Sequence, residues 1–191
     1  AFFLARAQEL GFQTRMTTTE DVGVIEMGTG TETLGILVHL DVVATGDPEK
    51  WIDPPFSGAV HDGFIWGRGT VDDKGAAVMC FYAMKAVRES GIDLPKKIQL
   101  IAGTSEEGNW TDIANFKKEF PVPDFGFSPD GEFPIYHAEN GYADIELFFE
   151  NDSGKGIQSL SAGESVTTIP SKAEITFEDG TRIAWHGVSA H

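Results

Sequence analysis

Short apolar segments rich in β-branched residues alternate along the chain with a longer segment of helical periodicity. Residues 34–38, 96–104 (KKIQLIAGT) and 124–130 (DFGFSPD) each predict a strand. Between them, residues 74–91 (KGAAVMCFYAMKAVRESG) predict a helix that ends at Gly91. Strands that alternate with helices are typical of α/β proteins. We therefore expect an α/β fold with a mainly parallel sheet flanked by helices.

Three further segments add to this outline. Residues 1–12 predict an amphipathic helix, and residues 111–120 predict a second one with Thr111 or Asp112 as its N-cap. Residues 28–35 (GTGTETLG) are rich in glycine but lack the lysine of a phosphate-binding loop. We interpret that segment as a β-hairpin.

The pattern changes after about residue 140. Residues 143–151 and 173–185 alternate polar and apolar side chains, as half-exposed strands do, and Asp179-Gly180 indicates a turn within the second segment. We therefore expect a larger domain over residues 1–140 and the start of a smaller α+β domain over residues 141–191.

Charge and composition exclude several classes of protein. The chain has 30 acidic against 14 basic residues and a net charge of -16, which argues against a nucleic-acid partner. We find no apolar run long enough to span a membrane and no signal peptide. The one cysteine, Cys80, excludes an internal disulfide and fits a reducing compartment, so we expect a cytoplasmic protein.

Histidine and acidic residues, which are able to bind metal ions, directly follow the predicted strands. Each has an ordinary interpretation when taken alone, as a turn acid or a helix cap. At the carboxyl ends of neighbouring strands, however, they would converge on one edge of the sheet, and a divalent cation would relieve their mutual repulsion. Imidazole with carboxylates suits Zn²⁺, with Mn²⁺ or Co²⁺ as alternatives. The residues are His39 and Asp41, Glu106 and Glu107, Asp130, and Asp72 at the head of the predicted helix.

Five sequence motifs resemble those of the M20 family of metallopeptidases. They are HLD, GRGTVDDKG, GTSEEGNW, FGFSPDGEFP and GVSAH. Within that family the chain is most similar to the bacterial dipeptidases of the PepV and carnosinase-like type. It matches the front part of a longer family member. The resemblance implies a zinc-peptidase-like catalytic domain, incomplete over residues 1–140, and a truncated lid domain over residues 141–191.

The resemblance also implies a metal ligand set. His39 and Asp130 would bind one zinc ion, Glu107 would bind a second, and Asp72 would bridge the two. The family has a cis peptide bond after the bridging aspartate, here Asp72-Asp73. A further histidine ligand would come from a C-terminal part of the family's catalytic domain.

The remaining implied roles concern catalysis. A metal-bridging water would be the nucleophile and Glu106 the general base. Asp41 would orient the ring of His39, and His191 would contact the substrate and stabilise the oxyanion. The implied function is dizinc-dependent hydrolysis of dipeptides or short peptides, with a homodimer through the lid. A related deacylase or desuccinylase, or a catalytically incomplete metal-binding fragment, stays open, as do the preferred dipeptide and the physiological metal.

Overall fold

The computed structural model describes residues 1–132, 134–138, 140–141, 143, 145, 147, 156–163, 170 and 172–186. The chain forms two compact units, Ala1–Ile135 and Tyr136–His191. The functional division into a catalytic part and a lid at residues 140 and 141 stays a prediction.

The first unit contains a five-stranded mixed sheet, a two-stranded hairpin and three α-helices. The sheet strands are β1 (Gln13–Met16), β2 (Gly23–Met27), β3 (Thr33–His39), β6 (Lys97–Gly103) and β7 (Phe125–Phe127), and the hairpin strands are β4 (Ala59–His61) and β5 (Phe64–Trp66). The helices are α1 (Phe2–Glu9), α2 (Lys74–Glu89) and α3 (Thr111–Glu119), and a 3-10 turn spans Pro48–Lys50. The predicted α/β fold is confirmed.

The order of strands in the large sheet is β1-β2-β6-β3-β7. Strands β6, β3 and β7 are parallel to one another, whereas β2 is antiparallel to both of its neighbours, β1 and β6. The carboxyl ends of the three parallel strands therefore meet at one edge of the sheet. In register, His39 at the end of β3 lies opposite Gly103 at the end of β6.

The central strand β6 is covered on both faces. Successive side chains of a strand point to opposite faces, so Leu100 packs into one apolar cluster and Ile101 into another. The cluster around Leu100 contains side chains of α1 and α2, and the cluster around Ile101 contains Phe116 of α3. This two-sided burial explains why β6 is apolar at every position from 100 to 102.

Helix α2 forms because its apolar residues recur at helical spacing. Ala77, Phe81 and Met84 are buried and separated by four and three residues, so they lie on one face against the sheet. The helix ends at Glu89, and Gly91 follows with a positive φ of 71°, a conformation that glycine adopts without steric cost. The predicted helix and its C-terminal glycine are confirmed.

Two local predictions are wrong. The glycine-rich segment 28–35 is no hairpin, because β6 lies between β2 and β3. Its glycines permit a close backbone approach instead: a Cβ at Gly30 would lie 2.0 Å from the carbonyl oxygen of Pro95. The N-cap of α3 is Trp110, which has no side-chain cap bond, and neither Thr111 nor Asp112 takes that position.

The second unit contains a three-stranded antiparallel sheet of order β10-β9-β8. Its strands are β8 (Ile157–Ala162), β9 (Lys172–Phe177) and β10 (Arg182–His186). Strands β9 and β10 pair around Asp179 and Gly180, where the side chain of Asp179 accepts a hydrogen bond from the amide of Thr181 at 2.8 Å. The predicted turn is confirmed. Most of the predicted strand 143–151 lies outside the described residues.

The helices in the described part of the chain are too short or too polar to cross a membrane. None of its helices combines the length and the apolar character that a membrane span needs.

Candidate metal centre

His39 is the central residue of the site. It is the last residue of β3, and its side chain is only 3% exposed. Its Nε2 atom lies 2.9 Å from Oδ1 of Asp72, 3.3 Å from Oδ2 of Asp130 and 4.0 Å from Oε2 of Glu106. One imidazole nitrogen is thus surrounded by carboxylates from three separate segments of the chain.

The sheet topology explains why Asp130 and Glu106 meet at His39. Strand β7 runs parallel to β3 on one side, and Asp130 follows it by three residues. Strand β6 runs parallel to β3 on the other side, and Glu106 follows it by three residues. Two neighbouring parallel strands therefore deliver their C-terminal acids to the same edge, as the sequence predicted.

Asp72 reaches the site from the segment before α2. The peptide bond between Asp72 and Asp73 is cis, as the resemblance implies. The side chain of Asp73 is buried, and its Oδ2 accepts a hydrogen bond from the backbone amide of His39 at 3.1 Å. The two adjacent aspartates therefore contact the two ends of one residue: Asp72 the ring of His39, and Asp73 its backbone.

Asp41 makes more contacts than a ring-orienting role requires. The Nδ1 atom of His39 lies 3.1 Å from the backbone carbonyl oxygen of Asp41 and 3.4 Å from its carboxylate. The same carboxylate accepts hydrogen bonds from the amides of Glu106 at 3.3 Å and Glu107 at 3.0 Å. Asp41 thus connects the histidine to the segment that carries both glutamates.

The clustered charges shift the pKa values of the site. Burial by itself lowers the pKa of His39, but the charges of Asp130, Glu106 and Asp41 and the hydrogen bond with Asp72 raise it above its ordinary value. Burial, followed by the negative charge of Asp130, raises the pKa of Glu106. Burial and a nearby like charge both disfavour the ionised form of Glu106, as expected for an acid in a partly buried acidic site.

Burial raises the pKa of two further acids at the site. The pKa of Asp130 is raised mainly by burial, with a contribution from the charge of Asp72. The pKa of Asp73 rises to about 6, again mainly through burial. Its Oδ1 atom finds no hydrogen-bond partner among the described residues, so that carboxylate is only partly satisfied.

The donor atoms are close enough to share cations. Ligand atoms of His39, Asp72 and Asp130 all lie within 4.8 Å of one another, and so do those of His39, Glu106 and Glu107. One nitrogen with several carboxylate oxygens is a donor set that suits zinc or manganese. The residues present therefore fit a divalent metal. The two groups share His39, and the bridging role of Asp72 stays a prediction.

A small cavity opens beside these residues. It has a volume of about 90 Å³, and its walls include His39, Glu106, Asp130 and Trp110. A larger groove of about 330 Å³ lies beside it against β7, but its lining contains no acid or histidine. The smaller cavity is therefore the candidate for chemistry, because the acids face it.

Two further residues concern the site: His191, which the sequence predicts as a substrate contact, and Asp112, which it does not predict as part of the site. His191 lies outside the described residues, so its predicted contact with substrate stays a prediction. The sequence predicts Asp112 only as a candidate helix cap, but its buried carboxylate accepts hydrogen bonds from the amides of Thr104 and Ser105, just before the glutamates. The sequence gives one sign that Asp112 holds these amides: an apparent cap residue lies five positions after the acidic pair.

Taken together, the fold and the site define an α/β protein with a candidate metal-binding centre at the carboxyl edge of its sheet. Residues 35–110 match the sequence model of peptidase family M20/M25/M40. Over these residues the chain is similar to members of this family.

Curated relatives show the same similarity. The chain is 36% identical over 161 residues to "Putative dipeptidase YtjP" of Bacillus subtilis, a match over 82% of this chain and 34% of the relative. It is 38% identical over 178 residues to "Beta-Ala-Xaa dipeptidase" of Lactobacillus delbrueckii subsp. lactis, over 91% of this chain and 37% of the relative. The chain thus spans about a third of the length of these relatives.

Solved structures show the same fold. The crystal structure of human carnosine dipeptidase 1 superposes with a TM-score of 0.57 at 25% identity, over 68% of this chain and 32% of that one. The M20 family metallo-carboxypeptidase Sso-CP2 from Sulfolobus solfataricus gives a TM-score of 0.58 at 24% identity, over 69% and 31%.

Proposed function

We propose that the protein hydrolyses dipeptides or short peptides with the help of two divalent metal ions. The observation that carries this proposal is the convergence of Asp72, Asp130 and Glu106 on the buried Nε2 atom of His39. The names of the curated relatives, which are dipeptidases, support the substrate class.

The proposed ligand set is the one that the resemblance to the M20 family implies, and the grouping of these side chains around His39 supports it. His39 and Asp130 would hold one ion, Glu107 would contribute to the other, and Asp72 would lie between them. Zn²⁺ is the proposed metal, with Mn²⁺ or Co²⁺ as alternatives, because the donors are one imidazole and several carboxylates. When bound, such ions lower the pKa of a coordinated water to near neutrality and polarise a carbonyl oxygen.

Glu106 is the proposed general base. Its side chain is 34% exposed, so a water molecule can reach it, and its pKa is raised mainly by burial. A carboxylate with a raised pKa accepts a proton more readily at neutral pH. Glu106 would take a proton from the attacking water and then return it to the amine that leaves the scissile bond. Asp41 would hold both His39 and the backbone of the glutamates in place while the proton moves.

The alternative proposals differ in substrate or completeness. A related deacylase or desuccinylase would use the same metal ligands, and His191 and other substrate-contacting residues would decide between the reactions. A catalytically incomplete metal-binding fragment is the second alternative. These alternatives predict metal binding without cleavage of dipeptides.

The test uses Glu106→Ala in the full-length protein. We expect this variant to retain its bound metal and to lose dipeptide hydrolysis, because a general base contributes about 10²- to 10⁴-fold to the rate. Elemental analysis measures the metal, and release of free amino acids measures turnover. The matched control is Glu49→Ala, which removes an exposed glutamate from the 3-10 turn.

The outcomes separate the proposals. Loss of metal from Glu106→Ala would make Glu106 a ligand and transfer the role of base to Glu107. A wild-type protein that binds two metal ions but leaves dipeptides intact would favour the deacylase or the incomplete fragment.

The proposed setting of the protein is the cytoplasm, supported by the single cysteine. A homodimer through the second unit is the proposed assembly. Exposed apolar side chains in that unit's sheet support it, namely Leu160, Ile183 and Trp185. Light scattering after size-exclusion chromatography measures the mass and so tests the dimer.

A further inference from the structure

The segment that carries the two glutamates is held by its backbone. The amides of Thr104 and Ser105 donate hydrogen bonds to Oδ2 of Asp112 at 2.8 and 3.0 Å. The next two amides, of Glu106 and Glu107, donate to the carboxylate of Asp41. Four consecutive backbone N–H groups are therefore bound by two carboxylates. We call residues 104–107 the four-amide turn.

Asp112 is buried to a degree that demands an explanation. The residue is only 1% exposed, although a buried carboxylate is costly unless hydrogen bonds satisfy it. Its Oδ2 accepts the two bonds from the four-amide turn, and its Oδ1 accepts one from the amide of Ile113 at 2.7 Å. Two of its three donors thus lie seven or eight residues upstream, outside α3, so capping the helix does not account for its position.

The strand before the turn leaves room for this carboxylate. Gly103 is the last residue of β6, and a Cβ atom there would lie 2.4 Å from Oδ2 of Asp112. A side chain at position 103 would therefore displace the carboxylate from the amides that it binds. The glycine, the buried acid and the turn form one local arrangement at the end of the strand.

The position of the turn matters because of what it carries. Oε2 of Glu106 lies 4.0 Å from Nε2 of His39, and Glu107 offers a ligand atom in the same group. Asp41 contacts both the histidine and the glutamate amides. Asp112 binds the other half of the turn, so the two carboxylates together hold it at both of its ends.

We propose that Asp112 is a positioning residue that fixes the four-amide turn and thereby holds Glu106 and Glu107 against His39. An effect of Asp112 on zinc affinity rests on the proposed function. An effect of Asp112 on the order of the four-amide turn does not. Charged acceptors form stronger hydrogen bonds to amides than neutral ones. Asp112→Asn, which removes the charge and one acceptor oxygen, should therefore loosen the whole turn, including the two amides that Asp112 does not touch.

The first measurement is amide hydrogen exchange in the metal-free full-length protein. In Asp112→Asn we expect exchange at Glu106 and Glu107 to accelerate about tenfold or more, the scale set by losing charge-assisted hydrogen bonds. The matched control is Glu119→Gln at the other end of α3. Glu119 also accepts three hydrogen bonds, all from the amide and hydroxyl of Thr18. The control should accelerate exchange at Thr18 and leave the four-amide turn unchanged.

The second measurement is the zinc affinity of the same variants by titration calorimetry. Removing a partner that orients a metal ligand weakens binding by about 10- to 100-fold. We expect that loss in Asp112→Asn and no such loss in Glu119→Gln. If Asp112→Asn fails to fold, Gly103→Ala serves instead, since its methyl group displaces the same carboxylate.

Each outcome decides something. Exchange at Glu106 and Glu107 that matches wild type in Asp112→Asn, or that accelerates equally in Glu119→Gln, overturns the positioning role. Zinc affinity equal to wild type in a variant whose turn has loosened overturns the link from the turn to the metal. A wild-type chain that binds no zinc contradicts the proposed function, while hydrogen exchange still decides the role of Asp112.

Discussion

Replacing Glu106 by glutamine should stabilise the metal-free protein, although it removes the proposed base. The nearest oxygen atoms of Glu106 and Glu107 lie within 4.8 Å of each other. Two charges at that distance repel by about 3.5 kcal/mol at an effective dielectric constant of about 20. Because the side chain of Glu106 is 34% exposed, solvent screening reduces the expected gain to about 1 kcal/mol.

The pH dependence of this gain follows from the raised pKa of Glu106. An acid whose pKa is raised on folding destabilises the folded state at pH values above that pKa. Below the pKa of the unfolded chain the acid is protonated in both states, and the effect disappears. Glu106→Gln should therefore be more stable than wild type at about pH 8, and the difference should vanish near pH 4.

Thermal unfolding followed by circular dichroism, with a chelator present, measures the effect. A gain of about 1 kcal/mol corresponds to a rise in Tm of about 2–4 °C for a chain of this size. Glu49→Gln, at an exposed position outside the site, controls for the general effect of removing one negative charge. A variant no more stable than wild type at pH 8 would refute the view that these acids repel one another when no metal is bound.

Two further predictions concern the scaffold. The pKa of Asp21 is lowered to about 2: burial raises it, but hydrogen bonds from Thr17, Thr19 and Asn115 outweigh that effect. The stabilisation that ionised Asp21 gives the folded state is therefore present above about pH 4 and is lost as the pH falls toward 2. Asp21→Asn should therefore weaken the loss of unfolding free energy at acid pH, measured by urea denaturation. An unchanged dependence on pH would contradict this. Phe81 is 1% exposed and packs against other aromatic rings, so Phe81→Ala should cost about 3–5 kcal/mol in chemical denaturation, and a cost below about 1 kcal/mol would contradict its place in the core.

The convergence of the site residues was predictable because it follows from strand direction alone. Once β3, β6 and β7 are parallel neighbours, His39, Glu106 and Asp130 must emerge at the same edge. The sequence shows each strand by its apolar run and each candidate ligand by its place after the run. Parallel pairing of the three was an expectation, and the structure confirms it.

The errors have a different physical origin. The segment 28–35 suggests a hairpin, but 57 residues lie between the end of β3 and the start of β6, and β6 inserts between β2 and β3. Such non-local pairing leaves no signal in a short window of sequence. Strand β1 is also hard to predict, because its residues QTRM show no apolar alternation and are mostly exposed.

The role of Asp112 was hidden for a related reason. An aspartate at the start of a predicted helix is most simply a cap, because short-range hydrogen bonding explains it. The structure turns its carboxylate toward residues 104 and 105 instead. A hydrogen bond to the backbone N–H of a distant residue depends on the tertiary fold. The type of residue that carries this N–H group gives no sign of the bond in the sequence.

The measurement that tests the account most directly is the position of zinc in a crystal of the protein, located by anomalous scattering at the zinc absorption edge. We predict a zinc ion about 2.0–2.1 Å from Nε2 of His39, with oxygen atoms of Asp72 and Asp130 in the same coordination sphere. Zinc found only at sites that exclude His39, or no zinc at a saturating concentration, would contradict the metal centre on which the proposed function depends.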